Sequence, residues 1–338
     1  SSSGSAVAVS KQWVSFALGT DTAGSGRVPA SFNNIVGLKP TRGLLSTRGV
    51  VPACRSLDVV SIFALTVADA NSVLDCAAVF DAGDPYSRHN SFDNGRRYFA
   101  APAAPLRIGV PPAEHLQFFG DDAAAGCFSA AVERIQGEGH ELVPMDMEPF
   151  IEAAGLLYSG PWVAERYLVV QDLLEQSPES VLPVIREIIG AGGGYAATDT
   201  FTAMYRLQAL CQRARPLMDS VDLMVTPTAG TCYRTEEVLE EPVRLNTNLG
   251  YYTNFMNLMD YSALALPVGF LPSGVGFGVT LFHQAFSDKR LLGAGAALQR
   301  LFDLPLGASG RRAPGTAESA RLPASTSVEL VVCGAHLS

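Results

Sequence analysis

Residues 14–27, VSFALGTDTAGSGR, run an apolar, strand-like segment straight into a loop built almost wholly of small, hydroxylated and glycine residues. Such a loop adds little to a core. It lets backbone N–H groups converge on one point and brings a hydroxyl close to a ligand. A second loop of the same kind, SSSGS, occupies residues 1–5. Any fold for this chain has to place both loops around the short segment between them, which starts with small apolar residues suited to a buried helix and ends in VSFAL. Taken alone, SSSGS reads as an ordinary turn or helix cap. GTDTAGSGR differs, because consecutive N–H donors beside a hydroxyl are what acyl transfer requires: a nucleophile, and oriented donors for the developing oxyanion. A serine hydroxyl also needs a base, and none of His89, His115, His140, His283 or His336 sits in a recognisable triad setting.

Further along, periodicity predicts a helix over 67–80, a loop from Asp84 to about Pro105, a strand at 106–111, a helix at 121–136 and a strand at 140–145. That β-α-β spacing implies a parallel crossover. Helices are expected over 150–175, 179–190 and 199–220, followed by a buried strand at 221–228. Residues 246–270 carry a helix into an apolar strand, 274–284 pairs with it, and a last helix covers 288–302. Composition then shifts to Gly, Ala, Ser, Arg and Pro over 307–327, as in a linker. A new strand begins at 328–338, so the expected organisation is a main domain at 1–306, a linker, and the start of a truncated C-terminal domain.

An apolar share of 48% against 17% charged residues suits a soluble globular protein, and a net charge of −9 with no basic cluster argues against a nucleic-acid partner. The six cysteines lack CxxC spacing and read as reduced thiols of a cytoplasmic protein. No histidine pairs with a cysteine or another histidine at zinc-ligand spacing. No apolar run approaches the roughly 20 residues of a membrane helix, so no membrane partner is expected.

The run SSSGSAVAV followed by FALGTDTAGSGRVPASFNNIVGLKPTRG resembles, continuously across residues 1–43, the signature of the amidase signature family. The resemblance implies an α/β fold with a large mixed β-sheet covered by helices on both faces, the site lying among loops at a sheet edge. It also implies a Ser–cisSer–Lys mechanism in place of a histidine triad. Ser25 matches the nucleophile and Ser1 the bridging serine; Thr22, Ala23 and Gly24 match the oxyanion hole; Asp21 and Arg27 match positions that brace the loop. The family's lysine lies well before the serine-rich loop, on a segment that residues 1–338 do not contain. Lys11 reads as a helix-surface residue, and Lys39 matches a signature position other than the base. On that reading the chain alone is inactive, with apolar surface exposed and stability reduced.

LLYSGPWVAERY at 156–167 resembles a segment of allophanate hydrolases in which a tyrosine and an arginine eight positions apart hold the substrate, and Tyr158 and Arg166 match. On one continuous helix, eight steps put two side chains about 80° apart and roughly 12 Å along the axis. Residues 227–270, 274–292 and 328–338 resemble the same enzymes. The implied reaction is hydrolysis of the small molecule allophanate with release of ammonia, in urea or cyanuric acid degradation, with no metal or organic cofactor. Asn254 and Asn257, on an apolar helix, fit either the lining of the pocket or hydrogen-bonded structural asparagines. Oligomeric state is not fixed by sequence, although the family commonly dimerises. Two other readings fit the same residues: an amidase of this family acting on another small amide, and an inactive amidase-fold protein serving only in binding or assembly.

Overall fold

The computed structural model describes residues 1–91, Asn94 and residues 105–312; the expected truncated C-terminal domain and most of the expected linker lie outside them. In chain order the elements are α1 (Ser3–Ser10), β1 (Phe16–Asp21), α2 (Val28–Phe32), β2 (Val36–Lys39), β3 (Val59–Ala64) and α3 (Val67–Ala77). They continue with β4 (Arg107–Val110), α4 (Asp122–Gly137), β5 (Glu141–Pro144), α5 (Glu148–Ser159), α6 (Trp162–Gln176), α7 (Pro183–Gly190) and α8 (Ala197–Asp219). The last are β6 (Leu223–Pro227), α9 (Thr235–Glu240), α10 (Pro242–Leu249), α11 (Phe255–Leu258), β7 (Tyr261–Phe270), β8 (Gly276–Gln284) and α12 (Asp288–Phe302). No helix among the described residues is long and apolar enough to cross a membrane.

The strands form one mixed sheet in the order β1-β3-β2-β7-β8-β6-β4-β5. The expected crossover is present: β4 pairs in parallel with both β5 and β6. Every other pairing is antiparallel, including the long β7–β8 pair. Successive side chains of a strand point to opposite faces, and β7 shows this cleanly. Leu264 and Leu266 pack with α3, α4 and α12 through Leu74, Phe128 and Leu298. Ala263 packs with Phe150 of α5, Leu210 of α8 and Phe255 of α11, while Ala265 faces Ala6 of α1 and Ala30 of α2. Helices therefore cover both faces, as expected.

The expected helix over 150–175 is instead two. Gly160 closes α5 in extended backbone, and Pro161 precedes the first residue of α6. Proline lacks the N–H that would continue the α5 ladder. Likewise 246–270 holds the end of α10 and the four-residue α11 before β7 begins.

β1 is an edge strand, and its outward polar groups would be left open. Helix α1 closes them. Ser2 Oγ accepts the Thr20 N–H at 3.0 Å and lies 3.2 Å from the Thr20 carbonyl, while the Ser5 hydroxyl donates to the Leu18 carbonyl at 2.9 Å. Gly19 makes this docking possible, since a Cβ there would overlap Ser2 and the Phe63 ring.

Candidate active site

The expected loop at residues 1–5 is largely the first turn of α1, which begins at Ser3, and the docking of α1 on β1 sets Ser1, just ahead of that helix, against the loop after β1. Ser1 Oγ lies 3.3 Å from Ser25 Oγ, and the Ser2 N–H donates to the Ser25 carbonyl at 3.3 Å. A proton can pass directly between the two hydroxyls.

Below the loop, Asp21 and Arg27 form a fully buried bidentate pair, with Nε–Oδ2 and Nη2–Oδ1 both at 2.9 Å. The same carboxylate accepts the N–H groups of Gly24 at 2.9 Å and Gly26 at 3.1 Å. Burial alone would push the Asp21 carboxyl up, but the Arg27 guanidinium and these donors hold it below the usual range. Arg27 Nη2 also donates to the Thr253 carbonyl and to Asn257 Oδ1, both at 3.2 Å. Asn257 in turn donates to the carbonyls of Asp21 and Leu57, and Thr253 Oγ1 donates to that of Ala23 at 2.7 Å. Of its two expected roles, Asn257 takes the structural one: it is a fully buried brace beneath the loop with its hydrogen bonds filled.

The loop turns at Gly24, where φ is +125°, and a Cβ would strike Thr253. Among the described residues no acceptor is found for the N–H groups of Thr22, Ala23 and Ser25. Gly24 departs from the expected trio of oxyanion donors, because its N–H is taken by Asp21; its part is the turn.

Lysine geometry is equally definite. Lys39 is fully buried and donates to the Tyr261 carbonyl at 2.6 Å and the Pro40 carbonyl at 3.2 Å. Lys289 bonds Asn71 and Asp75 on the other side of the sheet. Neither touches Ser1 or Ser25, and Lys11 is exposed at the end of α1.

Because α5 breaks before α6, Tyr158 and Arg166 are not spaced along one helix. They meet face to face: Arg166 Cζ sits 4.9 Å from the Tyr158 ring centroid, with Tyr158 46% exposed. Among the described residues, Arg166 Nε and Nη2 are buried without a hydrogen-bond partner. Glu165, the adjacent residue, accepts from Cys54 Sγ at 3.0 Å and from the N–H and hydroxyl of Ser56, both at 2.6 Å.

One further residue has no counterpart in the motif. Asp58, at the entry to β3, accepts the Thr22 hydroxyl at 2.5 Å and the N–H groups of Ala53 and Cys54. Burial raises its pKa despite those donors and the nearby Arg166. Asp58 also borders a cavity of about 150 Å³ lined by Arg48, Arg55 and Tyr86, which none of Ser1, Ser25, Tyr158 or Arg166 lines.

A family model described as "Amidase" matches residues 1–292. The chain belongs to the amidase signature family. It is 40% identical to urea amidolyase of Saccharomyces cerevisiae over 356 aligned positions, an alignment covering 100% of this chain and 19% of that protein. Urea amidolyase of Lachancea kluyveri is likewise 40% identical, over 86% of this chain and 16% of its own length. A solved structure titled as Kluyveromyces lactis allophanate hydrolase superposes with a TM-score of 0.87 at 38% identity, covering 92% of this chain and 51% of that one. This amidase chain thus spans 16–19% of the two urea amidolyases and about half of the allophanate hydrolase.

Proposed function

We propose that the chain is an amide-hydrolysing unit that acts on allophanate. The observation carrying this reading is the 3.3 Å approach of Ser1 Oγ to Ser25 Oγ beside the free N–H groups of Thr22 and Ala23. Ser25 Oγ attacks the terminal carbamoyl carbon, and its proton moves to Ser1. The resemblance supplies the acceptor beyond Ser1 as a lysine amine on a segment preceding the serine-rich loop. Negative charge developing on the carbonyl oxygen meets backbone donors already oriented by Thr253, Asp58 and the Asp21–Arg27 pair. The carbon–nitrogen bond then breaks, and the relayed proton leaves with ammonia. The acyl group stays on Ser25 as a carbamate ester until water attacks it, releasing N-carboxycarbamate and restoring the hydroxyl.

Substrate choice follows from Arg166. Its two unpaired, buried donors form a planar fork that matches a carboxylate, and Tyr158 stacks on the back of it. A neutral amide leaves those donors unpaired. The Kluyveromyces lactis structure, titled as allophanate hydrolase, supports the same substrate.

Ammonia release from allophanate by the natural full-length protein tests the proposal. Ser25→Ala should lower kcat by roughly 10³-fold or more. Arg166→Met should cost about 1.5–3 kcal/mol in kcat/KM, roughly 10- to 150-fold, for carboxylate-bearing amides and much less for a neutral one. Equal losses on both classes would point to a general amidase.

A further inference from the structure

Given the reading of Arg166 as the carboxylate fork, on which this inference rests, some part of the chain has to fix the distance of that fork from the oxyanion loop. In allophanate a single atom separates the reacting carbonyl carbon from the carboxylate carbon. So short a substrate gives little tolerance, and a misplacement of about 1 Å can cost on the order of 10²-fold in rate.

The two groups come from distant parts of the chain, Thr22 and Ala23 from the loop after β1 and Arg166 from α6. The turn Ala53–Asp58 touches the loop at Thr22 and, on α6, Glu165, the neighbour of Arg166. At one end, Asp58 takes the Thr22 hydroxyl and ties back its own turn through the N–H groups of Ala53 and Cys54. At the other end, Glu165 collects three donors from that turn: the Cys54 thiol, the Ser56 N–H and the Ser56 hydroxyl. Burial and Glu165 push the Cys54 thiol far up, so it remains a donor. Arg166, by contrast, has no hydrogen bond at Nε or Nη2 among the described residues to hold its fork in place. Its position depends on stacking against Tyr158 and on its backbone, which the neighbouring Glu165 pins to the turn.

We propose that the turn Ala53–Asp58 is a spacer that sets the separation between the oxyanion loop and Arg166. Glu165 and Asp58 are its positioning residues, and the spacer selects amides by the number of atoms between amide and carboxylate. A carboxylate is required at Glu165 because all three partners donate; glutamine offers one oxygen and turns an NH₂ toward a donor.

The test is steady-state kinetics of the natural full-length protein on malonamate (the same spacing as allophanate), succinamate (one atom longer) and a neutral aliphatic amide. Glu165→Gln should raise KM for malonamate about tenfold and lower the malonamate-to-succinamate ratio of kcat/KM by a similar factor. The neutral amide should lose less. Ser56→Ala, which removes one of the three donors, should shift the ratio in the same direction by a smaller factor, and it carries the test if Glu165→Gln does not fold. Asp58→Asn should lower kcat on all three amides. An unchanged ratio in Glu165→Gln and Ser56→Ala, with only the thermal midpoint reduced, would reduce the turn to a structural tie and overturn the spacer. If that ratio is unchanged while Arg166→Met abolishes the preference for carboxylates, the spacer alone falls. A wild-type protein with no preference for carboxylates removes the reading of Arg166 and the spacer with it.

Discussion

Lys39 shows how a single side chain can sit beside a catalytic loop without serving it. Its ammonium is fully buried under the site, facing Asp21, Arg27, Asp260 and Asp288 at longer range, with only carbonyl oxygens in contact. Burial outweighs the pull of Asp21 and lowers its pKa from 10.5 to about 8. Between those values the unfolded chain holds a proton that the folded protein has released. The unfolded state then binds more protons, so the contribution of Lys39 to stability rises with pH across that window and is lost as pH falls toward 8. Wild type should therefore gain up to about 2 kcal/mol relative to Lys39→Met between pH 7.5 and 9.5. Urea unfolding of both proteins at the two pH values measures this, and parallel pH profiles would contradict it.

At the scale of elements, the helix that carries Ser1 is held by its fit on β1. Gly19→Ala would put a methyl into Ser2 and the Phe63 ring, costing about 1–3 kcal/mol by overpacking. The displaced helix end would carry Ser1 away from Ser25. The expected result is a kcat reduced about tenfold or more with KM little changed, read from kinetics alongside unfolding midpoints. Lost stability with full kcat would uncouple α1 from the relay. This coupling was only partly legible in the sequence. SSSGS and GTDTAGSGR mark the two serine-bearing segments, but the edge-closing work of Ser2 and Ser5 appears only when β1 is seen to have no outer neighbour among the described strands. Strands β4 to β8 follow from apolar runs of the right length. The break between α5 and α6 is written in the Gly160–Pro161 dipeptide, a breaker that overrides the helical pattern on either side. Glu165 could have been noticed as the acid next to Arg166; its three partners lie over 100 residues earlier, and no local signal links them.

Across the whole molecule, the sheet order brings the ends of non-consecutive strands to one place. The C-terminal ends of β1 and β2 and the N-terminal ends of β3 and β7 lie together, as the registers Asp21–Val59 and Lys39–Ala263 show. Asp21, Asp58 and Tyr261 meet there, joined by Thr253 and Asn257 from just before β7. Each member of the site is a short-range motif or a lone polar residue in the chain; the antiparallel pairing of β3 between β1 and β2, and of β2 with β7, makes them one structure. Periodicity identifies strands but does not order them, which is why the loop and its internal Asp21–Arg27 brace could be named in advance while the supports from other elements, Asp58, Thr253 and Asn257, could not.

The most direct measurement is the mass of the natural full-length protein quenched during turnover of allophanate, followed by peptide mapping. A transient acyl adduct is expected on the peptide containing Ser25, and none in Ser25→Ala. Unimpaired ammonia release by Ser25→Ala, or an adduct on a different residue, would contradict it.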